Sequence, residues 1–244
     1  MQTSSNPALS DKAMKRLEVG VGTDVMTVKG SIAKTTFAMA ILMIGAFTGW
    51  AMLPQVAAGA VPWWLIITLL IATPILGIIT AFKANPVLVT LYAALEGVLI
   101  GVISRSFETA YSGIVLQAVL LTLATTLGML FLFVNGTVKV TQKARSVIMI
   151  ATVGVVIYFV FELLIGIFNP GFLSVLTTGP LGIFIAAVIV LIAALNLLLD
   201  FDFISKGVEN KLDKKTEWYA AFGLMVTLVW LYLSILRLLA ASRN

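Results

Sequence analysis

The chain reads as an all-α integral membrane protein of seven transmembrane helices. Of its 244 residues 60% are apolar and only 11% charged, against about 45–50% and about 25% in a soluble domain. A single soluble core of this size cannot hide that excess, and the mean hydropathy of +1.08 points to lipid. The apolar residues also fall in charge-free runs, over 35–82, 109–138, 146–161, 163–199 and 218–236. A barrel strand alternates over roughly ten residues, whereas a spanning helix needs roughly 20 mostly apolar ones. The run lengths therefore select helices.

Residues 1–30 mix charge with Ser, Asn and Gly and are expected to form a flexible tail ahead of a transmembrane domain over 31–244. No cleavable secretion signal is expected before the first span. That span is predicted over 33–53, with Pro54, Gly59 and Pro62 marking the turn to the second over 63–82. Pro74 falls inside the second span, where neighbouring helices can satisfy the freed carbonyl. Asn85-Pro86 starts the third, over 86–106. The fourth is predicted over 112–134 and stopped by Asn135-Gly136. The fifth covers 146–168, with a break at Asn169-Pro170-Gly171, the sixth 180–202, and the seventh 217–239.

Basic residues orient the helices, because Lys and Arg next to a span resist translocation. Thirteen of the 16 fall on one side: Lys12, Lys15, Arg16, Lys29 and Lys34, then Lys83, then Lys139, Lys143 and Arg145, then Lys206, Lys211, Lys214 and Lys215. Only Arg105, Arg237 and Arg243 fall on the other. The expectation is a multi-pass protein of the cell (inner) membrane with a cytoplasmic N-terminus. The net charge of +5 is then a topology signal, with the lipid bilayer as partner and no role for nucleic acid.

The chain has no Cys and no His. That removes thiol nucleophiles, thiolate and imidazole metal sites and every His-based triad. The polar chemistry rests on a few carboxylates. Glu96 falls near the middle of the third span, where an unpartnered carboxylate costs several kcal/mol, so it is expected to face the bundle interior or a wet cavity. Its bland alternative is a hydrogen-bonded residue holding helices together. Asp200 and Asp202 lie at the predicted end of the sixth span, two residues apart and so pointing apart, where carboxylates oppose the macrodipole and a cation relieves them. Both also suit a simple water interface. Glu217 opens the seventh span, where it matches the dipole. Glu162 is a candidate structural ion pair with Arg105 if their helices are neighbours. Gln117, Asn196 and Thr227 read first as interhelical hydrogen-bonding groups. Trp63, Trp64, Trp218 and Tyr219 read as interfacial anchors.

The stretch Asn196-Leu-Leu-Leu-Asp200-Phe-Asp202-Phe-Ile, followed by Glu217-Trp-Tyr-Ala-Ala-Phe-Gly and Trp230-Leu-Tyr-Leu-Ser-Ile-Leu-Arg237, resembles the C-terminal signature of bacterial members of the transmembrane Bax inhibitor motif family. The segment Ala94-Leu-Glu96-Gly97 and the seven-span count agree, and the resemblance covers about residues 30–240. It implies six helices around a central seventh and a pH-sensitive calcium leak. It also implies a proton-sensitive gate in which a sixth-helix aspartate pairs with a seventh-helix aspartate near the cytoplasmic mouth. The first matches Asp200; the second position holds Thr227, which can hydrogen-bond Asp200 but cannot share a proton as a second carboxylate does. Asp202 or Glu217 is then the candidate for the second charge.

Calcium prefers hard oxygen ligands. Asp200 and Glu96 are the candidate transient Ca2+ contacts, two acidic stations at which protons compete, along an ion pathway or pH sensor completed by Asp202, Glu217 and Thr227. No cofactor is expected beyond Ca2+ as permeant ion. The alternative is a regulatory membrane partner of a membrane protease or stress-response complex, without transport. Enzymatic activity is not expected, since a paired-aspartate protease needs its aspartates on facing helices.

Overall fold

The structure is a computed structural model that describes residues 24–57, 59, 62–168 and 178–243. Among these residues it holds seven helices: α1 (Val28–Ala57), α2 (Trp63–Phe82), α3 (Pro86–Ala110), α4 (Ile114–Val134), α5 (Gln142–Phe168), α6 (Gly179–Glu209) and α7 (Thr216–Ala241). All seven are long and apolar enough to cross a membrane. The turn expected at Asn169-Pro170-Gly171 lies outside the described residues, as do residues 1–23 of the expected tail.

Helix ends follow local chemistry. Asn85 caps α3 by accepting from the Leu88 amide at 3.0 Å, with Pro86 next in line. Glu108 lies in the last turns of α3 and accepts from Gly113 N at 2.6 Å and Val115 N at 3.1 Å. It thus serves the open amides at the start of α4, where a negative charge suits the dipole. Gly136, at φ +66°, makes the turn after α4. The helices overrun the hydropathic spans at the charged end. α1 starts at Val28 instead of 33 and runs through Pro54, α5 starts at Gln142 instead of 146, and α6 ends at Glu209 instead of 202. Apolarity stops where water begins; backbone hydrogen bonding does not, and on α6 the Asp202–Lys206 pair at 2.7 Å supports the extra turns.

α1 and α3 lie against each other along two small-residue ridges. A Cβ on Gly45 would stand 2.5 Å from the Ala94 carbonyl oxygen, and one on Gly49 would overlap the Val98 carbonyl. Reciprocally, a Cβ on Gly97 would overlap the Leu42 carbonyl and one on Gly101 that of Ala46. Gly45-x-x-x-Gly49 thus meets Gly97-x-x-x-Gly101, bringing backbones together where lipid offers helices no hydrophobic reason to associate.

α7 packs against α1, α2, α3, α4 and α6. Half of the apolar window of α3 and of α7 is buried, against 11% in α2 and in α5, so α3 and α7 are the interior helices and the latter two are rim helices. One core cluster joins Ala38, Leu42, Ala93 and Ile100 to Met225 and Val229 of α7. A second joins Ala118, Ala193 and Leu197 to Leu231 and Ile235. Asn196 ties α6 to α5 by donating to the Thr152 hydroxyl at 2.8 Å, the interhelical role its position predicts.

The basic end of the bundle is closed by a clasp. Met26 N donates to Leu212 O at 2.7 Å, Lys214 N to Asp24 O at 3.0 Å, and Val25 and Asp213 form a single antiparallel bridge. Met26 is 1% exposed and packs on Ile204 and Ala220. Residues 24–30 therefore belong to the folded bundle, although the sequence places them in the tail: their few apolar side chains carry no periodicity, and their partners lie about 190 positions away. Under the clasp, Glu217 is 1% exposed, with Lys34 Nζ 2.8 Å from Oε2 and both Thr27 N (2.9 Å) and Thr27 Oγ1 (3.1 Å) donating to Oε1. Lys34→Met leaves that carboxylate buried without its cation and is expected to destabilise the protein by about 2–4 kcal/mol. Glu217→Gln costs less, because Lys34 reaches water and Gln still accepts from Thr27. Thermal unfolding in detergent tests the asymmetry; equal losses would show that the ion pair contributes no more than its hydrogen bonds.

Candidate functional site

At the basic end Asp24, Asp202 and Glu217 each hold a Lys or Arg, whereas Asp200, further inside the bundle, does not. Asp202 takes the Arg145 guanidinium from the start of α5 and Lys206 at 2.7 Å from its own helix. These cations offset its charge locally, since α6 continues beyond Asp202 to Glu209 and the helix end is not beside it. Glu217 is held by Lys34. Each carboxylate holds its own cation, and neither is among the residues lining the cavity at Asp200, where the second charge was expected.

Asp200 stands apart. Among the described residues no Lys or Arg forms an ion pair with it, and its Oδ2 is buried without a hydrogen-bond partner. The Thr227 hydroxyl of α7 is near it, and in this arrangement Thr227 Oγ1 donates to the Gly223 carbonyl at 3.1 Å, one turn back. A hydroxyl has one proton and two lone pairs. It can donate to an ionised Asp200, or accept from a protonated one while donating to Gly223 O. Thr227 therefore suits either state of the single acid. Gly223 leaves room for this arrangement, since even a Cβ there would stand 3.6 Å from Asp200 Oδ1. Because α6 continues to Glu209, Asp200 is more than two turns from the helix end. The macrodipole, which fades within the last turn, is not what sets its state; its surroundings are.

Those surroundings form a cavity of about 270 Å3 between the end of α2, α6 and the first turns of α7, with Phe203, Tyr219, Phe222 and Gly223 beside the carboxylate. Tyr219 is held by donating to the Phe82 carbonyl at 3.0 Å. Tyr219 and Phe203 are 37% and 41% exposed and so stand at the mouth.

Glu96 is half-buried on α3, with Tyr92 one turn earlier on the same helix as its near neighbour. Tyr92 in turn meets Phe222 edge-on, ring centres 5.1 Å apart. Glu96 does not line the Asp200 cavity.

At the opposite end, Glu162 does not pair with Arg105. It makes a two-pronged pair with Arg237 of α7, one arm at 2.8 Å, while the Arg105 guanidinium lies 5.0 Å from the Trp50 ring centre. The Arg237 pair belongs to the wall of a second cavity of about 550 Å3 among α3, α5, α6 and α7. Spacing along the chain cannot show which helices are neighbours, and so the sequence pointed to Arg105 and not to Arg237 as the partner of Glu162. The clasp residues Thr27 and Lys34 were missed for the same reason. Among the described residues no three carboxylates converge as a metal site.

The whole chain can now be set beside known proteins. No curated protein matches it significantly. The family model described as Bax inhibitor 1 like matches residues 6–244, which takes in all seven helices, the paired glycine ridges and the Asp200 cavity. The chain therefore belongs to the Bax inhibitor 1 like family of multi-pass membrane proteins.

Proposed function

We propose that the protein is a pH-sensitive leak pathway for cations, with calcium as the permeant ion, in which Asp200 is the gating carboxylate at the basic end and Glu96 a second acidic station at mid-depth. One observation carries the reading: Asp202, Glu217 and Glu162 each hold a Lys or Arg, whereas Asp200 holds none and opens onto a cavity. A half-buried carboxylate with one oxygen fully buried and no cation is a functional position by default, because its desolvation is not offset by a structural partner. Thr227, able to serve both protonation states, lets one acid switch where the family pattern uses two. The test is calcium flux into liposomes holding the purified protein, across a pH series. Flux that rises and falls with pH supports the reading; silent vesicles with folded protein overturn it and favour a role as a regulatory partner of another membrane protein.

The N-terminus is proposed to be cytoplasmic in a bacterial inner membrane, from the distribution of Lys and Arg. Reporter fusions after residue 57 are expected to read outside and those after residue 140 inside. The reverse pattern would place the Asp200 cavity at the outer face.

A further inference from the structure

We infer that the cavity on Asp200 is a binding site for a small organic ammonium ion. The walls decide the ligand class. A calcium ion that stays bound needs about six to eight oxygen ligands, and the cavity offers one carboxylate. The only other side-chain oxygen in its lining, the Tyr219 hydroxyl, already donates to Phe82 O. The other lining groups named above, Phe203, Phe222 and Gly223, bring two rings and no ligand oxygen in their side chains.

What that lining satisfies is a cation whose charge is wrapped in hydrocarbon. Phe203, Tyr219 and Phe222 line the cavity, and aromatic rings attract alkylammonium groups through the ring quadrupole. Asp200 supplies the counter-charge through an Oδ2 that has no partner among the described residues. No Lys or Arg lines the cavity to compete for it. A volume of about 270 Å3 falls just under the range of about 300–1,000 Å3 typical of pockets for drug-sized molecules, so the ligand is small. The half-exposed Phe203 and Tyr219 at the mouth give it a way in from the membrane interface. The site is the one assigned to gating above, but ligand retention does not depend on ion conduction, and it can be measured with no gradient present.

The probes are choline and its uncharged isostere 3,3-dimethylbutan-1-ol, titrated calorimetrically into the full chain in detergent at mildly alkaline pH. Choline is expected to bind, and the alcohol to bind about tenfold or more weakly, since the two differ only in charge. Asp200→Asn is expected to weaken choline by a similar factor and to leave the alcohol unchanged. Phe203→Leu, a change at an exposed rim position, is expected to weaken choline several-fold, whereas Tyr219→Phe keeps the ring and retains binding. Gly223→Leu, which fills the cavity, is expected to remove binding of both probes. Because Tyr219→Phe must bind and the alcohol reports an intact cavity in Asp200→Asn, loss through misfolding is distinguishable. Equal binding of choline and the alcohol, or choline binding that survives Asp200→Asn, overturns the inference whether or not the protein conducts calcium.

Discussion

Gly97→Leu is expected to leave little folded protein, with a loss of more than about 3 kcal/mol, and Gly97→Ala to lose about 1–3 kcal/mol. The cause is the meeting of α1 and α3. The first atom of any side chain at Gly97 falls on the Leu42 carbonyl oxygen, which belongs to backbone and cannot swing aside. The helices must separate, and every contact along the paired ridges, from Gly45 against Ala94 to Gly101 against Ala46, weakens at once. Packing of this kind is the main attraction between helices in lipid, so nothing compensates. Gly128 and Gly154 provide the control, because a Cβ at either meets nothing within 4 Å. Alanine there is expected to change stability by no more than about 1 kcal/mol, the difference in helix preference. Thermal unfolding midpoints in one detergent compare the four variants. If Gly97→Ala unfolds with the controls, the ridges are not what holds α1 to α3.

Asp200→Asn is expected to make calcium flux insensitive to pH while the protein stays folded. Asn keeps the shape and can still bond the Thr227 hydroxyl, but it cannot take up or release a proton. Asp202→Asn is expected to act differently. It strips the partner from Arg145 and Lys206, so it lowers stability and leaves the pH profile in place. Thr227→Asp puts a second carboxylate beside the first; two acids in contact titrate as a unit in two macroscopic steps, so the flux profile should gain a step. Glu96→Gln is expected to lower the rate with the pH profile kept, since Glu96 lies outside the Asp200 cavity. Identical profiles for the wild type, Asp200→Asn and Thr227→Asp would exclude Asp200 as the sensor.

The candidate site was only partly legible along the chain. Asp200 and Thr227 were found because an acid in an apolar run and a recognisable motif both mark them, and the structure makes them neighbours. The opposed directions of Asp200 and Asp202 followed from helix geometry alone. The expected pair Glu162–Arg105, the second charge assigned to Asp202 or Glu217, and the helix-end position of Asp200 did not hold. Each depended on which helices touch or on where a helix ends in water.

Composition and run length determined the class of this protein, its number of helices and most of their boundaries. Those follow from the cost of unsatisfied backbone and charge in lipid, which every residue pays locally. Tertiary structure alone decided which carboxylates are neutralised. It brought Lys34 and Thr27 from the chain's start to Glu217 near its end, Arg145 to Asp202 and Arg237 to Glu162, and it left Asp200 without a cation over an aromatic cavity. The reason is that an ion pair forms between helices brought together by packing. In lipid that packing is set by small surfaces such as the facing ridges of Gly45 and Gly97, whose partners have no mark in the one-dimensional pattern.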